Sequence, residues 1–328
     1  MTFSTPSSLR CISAGILFAD IACWPIDHLP QEGELVATER IALSLGGNAA
    51  NIAMNLTRLG IPVALAGCVG DDALSDFIIR SVSRPGIDTT GVQRINDACP
   101  GTAMHLNVTG QDRRYICTTG ANDRFRIDGH LERLVATPNP AGLPRVLSLS
   151  GFLMHADLEN ERTPDFLKLA RSHGWFVLLD VVLNGSRPYW EAIRPLLPHT
   201  DLFLPNDHEA EQMTGLVEPE RQADFFLGHG VASVAITQGA EGTFYAASER
   251  LGGKRLHTPI FPMPFISGAG SGDAFAAGFI AAILESLPIE ECLRWGSALG
   301  ASAVRGLGTT ETVFNRAELT AFLAAPAG

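Results

Sequence analysis

A glycine-rich turn late in the chain contains the residues best suited to chemistry. Residues 267–273 read SGAGSGD, and a helical pattern begins near Asp273. Closely spaced glycines let backbone N–H groups converge, and a helix N-terminus brings its positive dipole end to the same place, so the turn can hold an anion such as phosphate. Asp273 at its mouth could accept the proton of an attacking alcohol, which suits phosphoryl transfer to a hydroxyl. A tight turn with a capping aspartate explains the same letters.

Two other glycine-rich phosphate motifs do not match this turn. A Walker A loop needs G-x-x-x-x-G-K-[ST], and the chain has no such run. A dinucleotide fingerprint needs G-x-G-x-x-G in the first βαβ unit, whereas this turn comes late and has Asp273 where the third glycine should stand. The remaining interpretation is a turn that binds an anion and carries a carboxylate beside it.

A second group of polar residues lies near the N-terminus. Gly46, Gly47, Asn48 and Asn51 open a predicted helix, where close backbone approach and two amide side chains could serve a polyol. Asp20, at the predicted end of the first strand, could accept two sugar hydroxyls. Asparagine caps and a loop aspartate are the structural alternatives.

Two further segments follow predicted strands. Asn206 and Glu209 lie three residues apart at a helix start, which suits Mg²⁺ binding through water, although a capping box has the same letters. The turn from Thr237 to Gly242 could lie against a nucleotide or form an ordinary hairpin.

The elements that must position these residues follow an alternating pattern. Strand-length runs that are apolar on both faces alternate with amphipathic helices, which predicts an α/β fold with a doubly wound, mostly parallel sheet flanked by helices. The runs are residues 11–18, 63–69, 146–154, 176–182, 202–204 and 233–237. Residues 21–45 and 101–118 instead show antiparallel, half-exposed patterns, and we expect them to form a small separate sheet. We predict one domain over residues 1–328.

Composition restricts the class of protein. The 328 residues are 46% hydrophobic, which excludes a disordered chain, and the net charge of −11 disfavours nucleic acid and anionic membranes as partners. The six cysteines are dispersed, which disfavours a zinc site or disulfides. Without a signal-peptide or membrane-span pattern, the sequence predicts a cytoplasmic protein.

Two segments carry a family resemblance. GGNAANIAMNLTRLG at 46–60 and GSGDAFAAGF at 270–279, in this order, resemble the signatures of the ribokinase-like, PfkB-type carbohydrate kinases, and the resemblance extends from Gly15 to about Gly308. It implies a doubly wound α/β domain whose small sheet is a lid, and ATP-dependent phosphorylation of a sugar hydroxyl with Mg²⁺.

The resemblance also implies roles for individual residues. Asp273 would be the catalytic base, with the anion hole at Gly270, Ser271 and Gly272. Glu209 would bind Mg²⁺ through water. The sugar-binding residues would be Asp20, Gly46, Gly47, Asn48, Asn51 and Asp157. The nucleotide-binding residues would be Asn206, Thr237, Gly239, Gly242, Ser297 and Gly308.

One departure from the family pattern bears on activity. The family commonly has Asp-Thr-Thr where this chain has Ser267-Gly268-Ala269, and the lost carboxylate lies in a region that helps many relatives hold a monovalent cation. Activation by K⁺ is therefore an open question. We expect a kinase of a free pentose or ketohexose, with a nucleoside kinase of the same fold and a catalytically weak sugar-binding or sensing protein as alternatives. We also expect a homodimer through the lid.

Overall fold

The computed structural model describes residues 9–84, 86–109, 114–185 and 187–325. The strands of these residues are β1 Cys11–Gly15, β2 Phe18–Ile26, β3 Arg40–Gly46, β4 Val63–Val69, β5 Ile87–Arg94, β6 Gly101–Val108, β7 Arg114–Thr118, β8 Arg145–Ser150, β9 Trp175–Leu179, β10 Leu202–Phe203, β11 Ser233–Thr237, β12 Thr243–Ala247 and β13 Arg255–Thr258. The α-helices are α1 Asn48–Arg58, α2 Ala73–Val82, α3 Gly129–Val135, α4 Arg162–Ser172, α5 Trp190–Ile193, α6 Asp207–Thr214, α7 Pro219–Gly228, α8 Ser271–Leu284, α9 Ile289–Ala303 and α10 Arg316–Ala324.

A large sheet runs through the described part of the chain in the order β13-β12-β11-β10-β9-β8-β1-β4-β5. In this order, each strand from β11 across to β5 pairs in parallel with its neighbour. Strands β12 and β13 form an antiparallel edge beside β11. Every residue of β4 is buried, with Leu65 in one hydrophobic core and Ala66 in the other. The predicted parallel sheet, apolar on both faces, is confirmed.

Helices cover both faces of this sheet. Side chains of α1, α2, α8, α9 and α10 form the core on one face, and those of α3 to α7 form the core on the other. Gly278 lets α8 lie against α9, because a Cβ there would come within 2.5 Å of the Trp295 carbonyl oxygen. This doubly wound arrangement fixes α8 and its N-terminus against the carboxyl ends of the strands.

The small separate sheet has the order β3-β2-β6-β7. It begins at Phe18 and extends to Gly46 in its first part, slightly beyond the predicted residues 21–45. Its second part is residues 101–118, of which 110–113 lie outside the described residues. One face, with Asp20, turns toward the main domain, and the other is exposed.

Four predicted strands are shorter than expected, of which 176–182 ends at Leu179 and 202–204 ends at Phe203. The run 11–18 is divided, because β1 ends at Gly15 and β2 begins at Phe18. The predicted strand 146–154 ends at Ser150, since Gly151 adopts a left-handed conformation with φ of 67° and residues 152–154 form a 3₁₀ turn. Apolar content alone did not reveal this turn.

No α-helix of the described residues is long and apolar enough to cross a bilayer. The cytoplasmic location stays a prediction. The six cysteines lie within the described residues and have free thiols.

Candidate active site

Asp273 lies in the first turn of α8. Gly270 precedes the helix with φ of 74°, and a Cβ there would lie 2.4 Å from the Thr309 carbonyl oxygen, so this position requires glycine. The N–H groups of Gly272 and Asp273 have no acceptor among the described residues, because the first helical hydrogen bond runs from Ala274 to Gly270. The turn thus presents free amides and a carboxylate at a helix N-terminus.

Two amides of α1 hold the Asp273 carboxylate. Asn48 donates through Nδ2 to Oδ1 at 2.9 Å, and Asn51 donates through Nδ2 to Oδ2 at 2.8 Å. The Thr309 hydroxyl donates to Asn51 Oδ1 at 2.8 Å, which turns the Asn51 amide group toward Asp273. The two polar groups predicted separately from the sequence therefore form one site, and Thr309 joins it although no sequence motif singled it out.

The surroundings of Asp273 make it a stronger base than an exposed carboxylate. Burial raises the pKa of Asp273 from 3.8 to about 6, hydrogen bonds from Asn51 and Asn48 act in the opposite direction, and the charge of Asp20 raises it. A carboxyl with this pKa is ionised at neutral pH and still basic enough to accept a proton.

Asp180 is a site residue that sequence reasoning missed. It follows β9 directly, and its Oδ2 accepts hydrogen bonds from the Asn48 side chain and the Gly151 N–H, both at 3.2 Å. Burial raises the pKa of Asp180 well above its usual range, and the charges of Glu209 and Asp273 raise it further. The available signal was an aspartate inside an apolar run, near the carboxyl end of a parallel strand.

Asp20 lies inside β2, whereas the sequence predicted it at the end of the first strand, with a loop position as the alternative. Its carboxylate lies beside Gly46, where a Cβ would come within 2.0 Å of Oδ2, so a larger residue there would displace the Asp20 carboxylate. His105 of β6 brings its Nε2 to 3.5 Å from Oδ2, and both side chains are buried. Sequence reasoning missed His105. The pattern that could have revealed it is the alternation along β6, in which every second residue faces inward.

Gly47 closes this side of the site. It precedes α1 with φ of 89°, and a Cβ there would lie 2.5 Å from the Ile16 carbonyl oxygen. The Ile16 backbone therefore approaches Gly47 closely, and such an approach was the reason to expect glycine at this position.

Asn206 and Glu209 form a reciprocal capping box at α6. The Glu209 N–H donates to Asn206 Oδ1, and the Asn206 N–H donates to Glu209 Oε2, each at 2.8 Å. Burial raises the pKa of Glu209 to about 7, and the charges of Asp207 and Asp273 add to the effect. The capping box that the sequence also allowed is therefore present. It uses only Oε2 of Glu209, so Oε1 is left for another ligand.

A cavity of about 590 Å³ opens beside the turn. Its lining includes Thr237, Gly239, Gly242 and Ser297 from the predicted nucleotide-binding residues, and Ser271 and Gly272 from the predicted anion hole. Asn206 is outside this lining but forms a parallel β-bridge with Thr237. Gly308 lies elsewhere, in a cavity of about 60 Å³ beneath the small sheet with His105 and Thr309.

Asp157 stands apart from this group. It lies in a 3₁₀ turn, Ala156–Leu158, and pairs with Arg126, whose Nε donates to Oδ2 at 2.7 Å. Among the described residues, no hydrogen bond joins its side chain to Asp273, Asn48 or Asn51. The structure therefore offers nothing to support its predicted contact with sugar.

The fold and the site together define the class of small-molecule phosphotransferases. A carboxyl group, that of Asp273, lies at a helix N-terminus beside the Asn48 and Asn51 amides, and Ser271 and Gly272 of the same turn line the larger cavity. A family model described as pfkB family carbohydrate kinase matches residues 10–315. The chain therefore belongs to the pfkB family of carbohydrate kinases, and the predicted enzyme class, a phosphotransferase acting on a carbohydrate alcohol, is confirmed.

Similar proteins extend over nearly the whole chain. The ribokinase of Haemophilus influenzae is 27% identical over 303 residues, which are 91% of this chain and 93% of the relative. The 2-dehydro-3-deoxygluconokinase of Bacillus subtilis is 29% identical over 314 residues, 89% of this chain and 90% of the relative.

Solved structures establish the same fold. Arabidopsis thaliana ribokinase complexed with ribose and ATP superposes with a TM-score of 0.83 at 24% identity, covering 97% of this chain and 100% of that one. A ribokinase II from E. coli in complex with ATP and Mg²⁺ superposes with a TM-score of 0.79 at 20% identity, covering 96% and 99%. The predicted ribokinase-like fold is confirmed.

Proposed function

We propose that this chain transfers the γ-phosphoryl group of ATP to a hydroxyl of a free pentose or ketohexose. The observation that carries the proposal is the position of Asp273, held by Asn48 and Asn51 at the N-terminus of α8, where Ser271 and Gly272 line the larger cavity. The ribokinase relatives and the fold shared with a ribokinase bound to ribose and ATP support this substrate pair.

The chemistry assigns one task to each group. The Asp273 carboxylate takes the proton of the sugar hydroxyl, whose oxygen forms a bond to the γ-phosphorus while the bond to the β-phosphate oxygen breaks. Free amides at Gly272 and Asp273 receive the transferring phosphoryl group, and the α8 dipole favours its charge. The products are ADP and a sugar phosphate.

The sugar would bind beneath the small sheet. The Asp20 carboxylate accepts its hydroxyls, and the Asn48 and Asn51 amides provide further polar contacts. Covering by the lid excludes water, which limits wasteful hydrolysis of ATP.

Mg²⁺ would be held mainly by phosphate and water. The described residues contain no group of three or more histidines, cysteines or acids arranged to enclose a metal, which suits an ion that keeps most of its hydration shell. Glu209, with one carboxylate oxygen outside its capping box, fits a contact through water. Bound Mg²⁺ would neutralise charge on the phosphates.

A panel of substrates tests the proposal. ADP release would be measured with ATP and Mg²⁺ against pentoses, ketohexoses and nucleosides. Release that depends on a free sugar supports the proposal, release that depends on a nucleoside favours the nucleoside kinase, and sugar binding without turnover favours a sensing role. Asp273→Asn should lower kcat roughly 10²–10⁴-fold with little change in sugar affinity. Near-normal turnover by this variant would remove Asp273 from its role.

We also propose a homodimer through the small sheet. Its outer face exposes apolar side chains, among them Ile41 at 67%, Leu43 at 45% and Ile116 at 62%. Such a patch is expected to be covered in an assembly. Light scattering should give a dimer for the native chain and a monomer for Ile41→Lys combined with Ile116→Lys. Leu251→Lys, at an exposed leucine of the main domain, is the control, and a monomeric native chain would contradict the proposal.

A further inference from the structure

The loop between α9 and α10, residues 304–315, forms a wall of the active site. Its Thr309 donates to Asn51, which in turn donates to Asp273. The Thr309 backbone also packs on Gly270, closely enough to exclude a Cβ there. The position of the loop therefore sets the Asn51 amide and, through it, the Asp273 carboxylate.

A guanidinium ties the two ends of this loop together. Arg305 donates through Nε to the Ser302 carbonyl oxygen at 3.0 Å and through a terminal nitrogen to the Thr312 carbonyl oxygen at 2.5 Å. The same guanidinium lies 4.6 Å from the centre of the Phe314 ring. Within the described ranges, no carboxylate forms an ion pair with Arg305. Carbonyl dipoles and an aromatic face therefore hold the positive charge.

The neighbouring carbonyl oxygens are already used by protein donors. The Thr312 hydroxyl donates to the Ala303 carbonyl at 3.0 Å. The N–H groups of Ile266 and Ser267 donate to the Val304 carbonyl at 2.8 and 3.2 Å. These bonds join the loop to the turn that precedes Gly270, without an ion between them.

These residues do not fit the monovalent cation that the family resemblance implies. A dehydrated cation needs several oxygens directed at one point. Ser267, which replaces the carboxylate, uses its hydroxyl to accept the Ala269 N–H at 3.2 Å. Arg305 places a fixed positive charge on the same loop, which would repel a second cation.

We propose that Arg305 serves as a built-in cation that positions the 304–315 loop, and that phosphoryl transfer by this chain requires no K⁺. Arg305 is a positioning residue, because it acts on Asp273 through Thr309 and Asn51. The inference rests on the proposed function for its rate measurements.

The first experiment compares cations with the native chain. Turnover and thermal unfolding would be measured with chloride salts of K⁺, Na⁺ and tetramethylammonium at equal ionic strength. We expect equal rates and equal Tm values in the three salts. A rate or a Tm that rises specifically with K⁺ would overturn the proposal.

The second experiment removes the guanidinium. Arg305→Ala should lower kcat by roughly 10–100-fold, since a loosely positioned base loses catalytic efficiency, while sugar KM changes little. Guanidinium ion at low, non-denaturing concentration should restore part of the rate, and Arg305→Lys should fall between the two. Arg84→Ala is the control, because that exposed arginine also donates to a carbonyl, Ser81, but lies away from the site. Native kcat in Arg305→Ala, or no rescue of an active variant, would contradict a positioning role.

The two proposals fail in different ways. If no sugar supports turnover by the native chain, the proposed function fails, and the Tm comparison in the three salts still decides whether K⁺ binds. If turnover is normal but depends on K⁺, only the role of Arg305 fails.

Discussion

Three carboxyl groups of the site, those of Asp273, Glu209 and Asp180, have pKa values that burial raises. Burial leaves Asp273 with a pKa of about 6 and Glu209 with about 7, whereas the pKa of Asp180 is raised well above its usual range. Ionisation of Asp273 raises the pKa of Asp180 further, and the Asn48 side chain donates to both carboxyl groups. Asp273 lies in the first turn of α8 and accepts from both Asn48 and Asn51, and it is the residue that we propose as the base.

The Asn51 amide should set the pH range of activity. In the native chain, kcat/KM for sugar should fall below about pH 6 as Asp273 becomes protonated. Asn51→Ala removes a hydrogen bond that lowers the pKa of Asp273, so the acid limb should move to higher pH. Rates measured across pH 5–8 would test this, with Asp273→Asn as the control that lacks the limb. A limb that does not move in Asn51→Ala would contradict the assignment.

Gly272 allows the anion hole to be tested apart from the fold. A Cβ at Gly272 meets nothing within 4 Å, so Gly272→Ala should fold normally and gain up to about 1 kcal/mol from helix propensity. The added methyl group would stand beside the free amides, and kcat/KM for ATP should fall. Gly228→Ala, in the equally open α7, is the control. Unchanged ATP kinetics in Gly272→Ala would mean that phosphate does not approach this turn.

At the scale of elements, the spacing of apolar residues predicted the strands and helices well but predicted the turns poorly. The parallel sheet, its helices and the small sheet follow from apolar spacing. The turn at Gly151 and the place of Asp20 inside β2 do not, because glycine conformation and strand pairing depend on distant residues. The contact of Thr309 with Asn51, from residues 258 positions apart, has no local signal for the same reason.

The junction of β3 with α1 should couple the lid to sugar binding. Gly46→Ala places a Cβ 2.0 Å from the Asp20 carboxylate, so it should destabilise the protein by about 1–3 kcal/mol and raise sugar KM. Combining it with Asp20→Ala removes the clashing atoms. Stability should then return while sugar affinity stays low, as denaturant unfolding and KM measurements would reveal. Additive losses of stability would contradict this contact.

At the scale of the molecule, the net charge of −11 includes carboxyl groups that serve the site. Asp20, Asp180, Glu209 and Asp273 lie close together in a protein proposed to bind an anionic nucleotide. Burial lets some of them take up protons, so the local charge is less negative than the formal count. The same burial links the stability of the ligand-free protein to pH.

Stability of the ligand-free chain should fall as pH rises from about 5 to 7. The folded state raises the pKa of Asp273 from 3.8 to about 6 and that of Glu209 from 4.5 to about 7, so in this range the unfolded chain releases protons that the folded chain keeps. The pKa of Asp180 is also raised, which adds to the fall, whereas burial lowers the pKa of His155 from 6.5 to about 4 and opposes it below pH 6.5. Each group contributes at most about 1.4 kcal/mol per pH unit.

Tm measured from pH 4.5 to 8.5 without ligand tests this fall. Glu209→Gln keeps a capping side chain and removes one titrating group, so its Tm should fall less between pH 5 and 7 than that of the native chain. Glu211→Gln, on the exposed face of the same helix, should leave the profile unchanged. A native Tm that rises steadily from pH 5 to 7 would mean that the site carboxyls ionise at ordinary pKa values, and Asp273 would then lack the basicity that its burial is expected to give.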